Sequence, residues 1–183
     1  MERTFVDKQA WLLELGQVIL EANNHLWADA GKEVAPFLPG FQTLVWEKPD
    51  SPWKVVDQYA GYFRAPGFTV VYYKGQPVWT NAYAGQGQDP SYYSIAGATF
   101  DFLKRALKDN SDPNEPFRGS CVYNEHNTFY SQQTEGTIED GRWEEIVGWQ
   151  GGQRSESHFT QRGVGGIVIG RNVDGSPALP WEL

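Results

Sequence analysis

Between Phe41 and Ile169 the chain is a succession of short stretches rich in valine, tyrosine and tryptophan, joined, except between Tyr83 and Phe117, by connections too short to carry a crossover. Parallel strands need links of a dozen or more residues, so most neighbours in such a chain must pair antiparallel. β-Branched and aromatic side chains suit a pleated, half-buried surface. The stretches are Phe41–Glu47, Trp53–Phe63, Thr69–Tyr73, Pro77–Tyr83, Phe117–Asn124, Thr128–Thr134, Arg142–Trp149, Ser155–Thr160 and Val164–Ile169. Lys74-Gly75-Gln76 reads as a hairpin connection, and so does the turn holding Glu125, His126 and Asn127.

Two segments change period. From about residue 8 to 27, Trp11, Leu12, Leu15, Val18, Ile19, Ala22 and Leu26 recur at spacings of three and four behind a capping Asp7. From Ser94, a candidate cap, to about Asp109, Phe102, Leu103, Ala106 and Leu107 form a second apolar face. The order helix, strands, helix, strands predicts an α+β fold. It consists of a single twisted antiparallel sheet of about seven to eight strands, with two helices on one face. Its glycines favour curling, and a curled sheet leaves room for a cleft. A length of 183 residues suits one domain, expected over 1–170, with 171–183 as a C-terminal extension whose Trp181 docks on the body.

Charge and composition narrow the partners. Fifteen Lys plus Arg against 23 Asp plus Glu leave a net charge of −8. That balance opposes direct binding to nucleic acid, which needs a basic face to neutralise phosphates. Lys104, Arg105 and Lys108 are the densest positive run, and on a helix end they complement the dipole. No apolar run approaches the roughly 20 residues of a membrane helix, and the first residues lack the order of a signal peptide. With a single cysteine, Cys121, the expected compartment is the cytoplasm.

Motifs for chemistry are sparse. There is no phosphate loop opening a helix, no zinc-protease helix and no nucleophile elbow. Gly163 to Gly170 reads as a closing strand with a bulge. Cys121 and His126 do not make a convincing thiol–imidazole pair, and His25, His126 and His158 lack metal-ligand spacing. No cofactor, metal or catalytic residue is assigned. Of the adjacent Glu144 and Glu145, only one can face inward, and Arg118 is its natural partner, as a structural clamp or as part of a ligand site. Tyr59, Tyr72, Tyr73, Trp79, Tyr83, Tyr123, Tyr130, Trp143 and Trp149 all fall on strands. Core packing accounts for about half of them, and the surplus fits a ligand cleft or a protein interface.

Several segments occur in order: Gly31-Lys-Glu-Val-Ala-Pro, Val56-Asp-Gln-Tyr, Val70-Val-Tyr-Tyr-Lys-Gly-Gln-Pro-Val-Trp, Tyr83-Ala-Gly, Phe102-Leu-Lys-Arg-Ala-Leu, Pro116-Phe-Arg-Gly and Gly151-Gly. Over about residues 8–155 the pattern resembles an uncharacterised bacterial and archaeal domain-of-unknown-function family. Some of its members resemble C-terminal partners of XRE-type helix-turn-helix regulators. The resemblance implies a small α+β domain and, by analogy, a sensor or effector-binding role. With no room for a DNA-binding helix-turn-helix before Asp7, regulation would have to run through a partner. Asp57, Tyr59, Trp79, Tyr83 and Arg118 match the family motifs and, with Glu145, are the ligand-binding candidates. Three functions follow as expectations. The first is a non-enzymatic module binding a small polar or aromatic ligand. The second is a hydrolase-like enzyme with Glu145 or Asp57 as base near Arg118. The third is a protein-interaction domain or homodimer.

Overall fold

The computed structural model describes residues 7–28, 33–87, 90–109, 121–151 and 154–183. Helix α1 (Lys8–Asn23) begins where the Asp7 carboxylate accepts the Gln9 N–H at 3.1 Å. All seven apolar residues of its expected stripe are buried. The helix does not run on to residue 27 as an α-helix. It widens into a π-turn over Asn24–Ala28, which swings Leu26 into the interior and seats the half-buried Trp27 beside it.

Five strands follow as a meander: β1 (Glu33–Val34), β2 (Gln42–Glu47), β3 (Trp53–Tyr59), β4 (Gly67–Tyr73) and β5 (Gln76–Gly87). The expected strand to Phe63 stops at Tyr59, because Gly61 at φ +93° turns the chain. The β4–β5 hairpin closes on Lys74 and Gly75, both at positive φ, as a two-residue turn matched to strand twist requires. Helix α2 (Tyr92–Asp109) starts two residues before Ser94. Ser94 therefore lies inside the first turn, where its hydroxyl donates to Ser91 O, and it is not the cap.

The second meander is β6 (Cys121–Glu125), β7 (Thr128–Gly136), β8 (Asp140–Gly151) and β9 (Arg154–Ile167). The final strand β9 returns to pair with β5, giving the open antiparallel order β1-β2-β3-β4-β5-β9-β8-β7-β6. The α+β class and the single open antiparallel sheet stand, with nine strands in place of seven to eight. Ser155–Thr160 and Val164–Ile169 are one strand, not two. Gly163, Gly165 and Gly166 sit inside it because neighbouring strands need the space. A Cβ on Gly163 would enter the indole of Trp143, and one on Gly165 would meet the Thr80 carbonyl.

Both helices lie on one face. Helix α1 packs with Trp53, Val55, Val71 and Trp79 in one apolar cluster. Helix α2 packs with Tyr130, Val147 and Phe159 in another. Trp27 touches both. The chain end forms a small hairpin of β10 (Gly170–Arg171) with β11 (Pro177–Ala178). Trp181 then reaches Trp11, with ring centroids 6.1 Å apart, so the expected docking is present. Among the described residues no helix is long and apolar enough to cross a membrane.

Two predictions follow from this packing. Gly163→Ala forces the Trp143 ring to move and lowers unfolding free energy by about 1–3 kcal/mol in urea titrations. Gly170→Ala, whose nearest neighbour would be Ala178 Cβ at 3.6 Å, leaves it nearly unchanged. The second concerns His158, buried where the β8–β9 register shifts and packed 4.6 Å from Trp149. Burial lowers its pKa below the ordinary 6.5. The unfolded chain therefore takes up a proton that the folded state refuses. This contribution to stability is complete above about pH 6.5 and declines as pH falls below it. The melting temperature of His158→Phe accordingly falls less than that of the parent between about pH 7 and pH 5.

Candidate functional site

The antiparallel registers place a band of polar residues across the helix-facing side of the sheet. Asp57 on β3 is opposite Thr69 on β4, which is opposite Asn81 on β5. In the other meander, Gln132 on β7 is opposite Glu145 on β8, which is opposite Gln161 on β9. The two trios flank the β5–β9 seam in corresponding places, third, second and first strand out from it. No repeat is visible in the sequence; the correspondence belongs to the topology.

Asp57 is completely buried. Its Oδ1 accepts from the Thr69 hydroxyl at 2.6 Å, and the Tyr83 hydroxyl reaches Oδ2 at 2.9 Å and Oδ1 at 3.2 Å. Two hydroxyl donors on one carboxylate offset much of its desolvation. They also fix the Tyr83 ring, whose phenol end crosses Gly67, where a Cβ would meet the phenol oxygen at 2.6 Å. Asn81 Oδ1 accepts from the Trp143 indole at 3.1 Å and so orients a second ring. The Trp79 indole donates to Ile138 O at 2.9 Å.

Glu145 is likewise completely buried, and Tyr130 OH lies 3.0 Å from its Oε2. The same hydroxyl sits 2.5 Å from Gln132 Oε1. One hydroxyl carries one proton and cannot donate to both. Exchanging nitrogen and oxygen in the Gln132 amide, whose buried Nε2 otherwise lacks an acceptor, makes the set consistent. Glu144 points the opposite way and pairs on the outer face with Arg162, 2.7 Å away.

A cavity of about 670 Å³ opens between this band, the π-turn and α2. Trp79, Tyr83, Trp143 and Phe159 form its sheet-side wall, with Thr69, Asn81 and Gln161 between them. Trp27 and Phe100 wall it from the helices, and Tyr59 and the exposed Tyr62 stand toward its mouth. Tyr62 packs edge-on against Phe63 and Phe100, joining the loop after β3 to α2. Among the described residues the charged groups in the lining are Glu33, Asp101 and Lys104, the first two exposed at the rim. Burial, then the Asp57 and Glu33 carboxylates, raise the Tyr59 phenol above its ordinary pKa of 10. Tyr59 is therefore a neutral hydroxyl at physiological pH.

Of the residues expected from the sequence, Tyr59, Trp79 and Tyr83 line this one cavity. Asp57 stands one layer beneath, holding Tyr83. Glu145 is adjacent to the cavity-lining Gln161 across the β8–β9 ladder. Arg118, and with it the expected Arg118–Glu145 pair, lies outside the described residues. Thr69, Asn81, Trp143 and Gln161 were not singled out by sequence as site residues. Thr69 is opposite Asp57, Asn81 opposite Thr69, Gln161 opposite Glu145 and Trp143 opposite Gly163, relations that appear only once registers are known. Among the described residues no group of three His, Cys, Asp or Glu is placed to hold a metal.

Tyr83→Phe removes a donor from a buried carboxylate. An expected loss of about 1–3 kcal/mol in unfolding free energy at pH 7 follows, measurable by chemical denaturation, with little change in far-ultraviolet circular dichroism.

Neither curated proteins nor solved structures yield a match to this chain. The model of a domain of unknown function, DUF5680, matches residues 57–167. The match begins at Asp57 itself and ends at the last residue of β9, spanning β4 to β9 and α2. It thus leaves out the α1 and β1–β2 segments that the motif resemblance included, and reaches past the end of that resemblance at residue 155. The chain belongs to this family, the domain of unknown function DUF5680.

Proposed function

We propose that the chain is a non-enzymatic binding module that holds a small, largely aromatic ligand in the cavity between its helices and its sheet. The observation that carries this is a space of about 670 Å³ with eight aromatic side chains in its lining. Binding sites for small molecules are commonly of this size, mostly apolar, with a few placed polar groups. The rings are held beforehand: Tyr83 by Asp57, Trp143 by Asn81 and Trp79 by Ile138 O. Side chains fixed in advance lose little freedom on binding. The described hydrogen bonds of Asp57 and Glu145 run to hydroxyls of the protein, an arrangement suited to holding walls in place. A half-buried lone thiol, Cys121, fits a reducing compartment such as the cytoplasm.

The test uses the neutral fluorophore N-phenylnaphthylamine, whose emission rises in apolar surroundings. Saturable binding of one dye per chain is expected. In Leu107→Trp, which fills part of the cavity from α2, dye affinity falls by about tenfold or more, the equivalent of roughly 1.4 kcal/mol. Unsaturable dye uptake, or equal affinity in a folded Leu107→Trp, overturns the proposal.

A further inference from the structure

Resting on the cavity reading, we infer that the ligand is a flat, uncharged heteroaromatic ring that presents a hydrogen-bond donor and an acceptor side by side, read by the amide of Gln161. Gln161 lies in the cavity lining, and its amide makes no hydrogen bond with any described residue. Beside it, the Thr69 and Tyr83 hydroxyls are engaged by Asp57 and the Asn81 Oδ1 by the Trp143 indole, while the other lining amide of the sheet, Gln42, stands on β2, three strands away from β5. Gln161 is held in place at its stem. A Cβ on Gly85 would meet Gln161 Cβ at 2.8 Å and Cγ at 2.9 Å, so the side chain lies across the space that this glycine leaves.

A carboxamide is one acceptor and one donor a fixed distance apart in one plane. Its complement is another planar donor–acceptor pair, such as a lactam or the edge of a nitrogen heterocycle. Trp143 and Phe159 belong to the same wall and supply aromatic surface beside Gln161. Charge points the same way. The charged groups described in the lining are the exposed Glu33 and Asp101 and the half-buried Lys104, so no charged side chain of the lining stands among Thr69, Asn81 and Gln161 on the central strands. A neutral ligand crosses into such a space without the desolvation cost of an ion.

The experiment displaces N-phenylnaphthylamine from the full chain with quinazolinone, which carries the lactam edge, and with N-methylquinazolinone, which lacks the N–H. On the parent protein the lactam is expected to compete at least about tenfold better, the size of one hydrogen bond in a water-poor site. In Gln161→Met, nearly the same volume without the amide, the two compounds compete equally, each competition being referred to the dye affinity measured for that variant. Gln161→Leu replaces it should the methionine variant fail to fold. Equal competition on the parent, discrimination that survives loss of the amide, or no competition by either compound while the dye binds overturns this inference and leaves the cavity reading standing. Failure of the dye itself to bind overturns both.

Discussion

The β5–β9 ladder holds the molecule together. Nine residue pairs, from Trp79 with Ile167 to Gly87 with Phe159, join two meanders that otherwise share no strand. The pairing closes a long loop containing α2 and three strands, so it is the most expensive in chain entropy and must be compensated by good local geometry. Geometry is where its glycines matter. Trp143 from β8 covers Gly163, and the β5 backbone presses on Gly165. Side chains at those positions would push the halves apart and remove the floor on which Tyr83, Asn81 and Gln161 converge.

Much of this architecture was legible because its signals are local. Asp7 caps α1 through its own side chain, Lys74-Gly75 sets its own turn, and alternation assigns Leu44 and Trp46 to one face of β2 whatever lies opposite. What was not legible depends on a neighbour distant in sequence. Gln161 to Gly163 reads as a gap between two strands and the glycines that follow as a bulge, since glycine weakens a strand, until an indole some twenty residues before Gly163 is seen to occupy the space. The site shows the same division. Asp57, Trp79 and Tyr83 stand out as residue types, and one inward carboxylate at 144 or 145 follows from strand period alone. Thr69, Asn81 and Gln161 are ordinary strand residues until registers align them.

The two buried carboxylates are both engaged by protein hydroxyls. Asp57 is met by Thr69 and Tyr83, and Glu145 by Tyr130. Such pairs specify ring orientation. The Tyr83 hydroxyl is tied to Asp57 across Gly67, where the missing Cβ leaves room for the phenol end.

The cavity also explains why the interior divides into two clusters rather than one. Helix α1 closes over the first meander and α2 over the second, and Trp27, on the π-turn between them, packs against both. An uninterrupted helix to residue 27 would carry that indole on a different path, since a π-turn adds residues to a turn and rotates everything after it. The irregular turn is therefore what lets α1 end at the cavity instead of covering it. The cavity lining draws on both clusters, with Val71 and Trp79 from one and Leu103 and Phe159 from the other. Binding that adds contacts to the folded state alone stabilises it by mass action. On the proposed reading, that stabilisation would fall on the junction of the two meanders, so occupancy of the cavity and cohesion of the two halves would be thermodynamically linked.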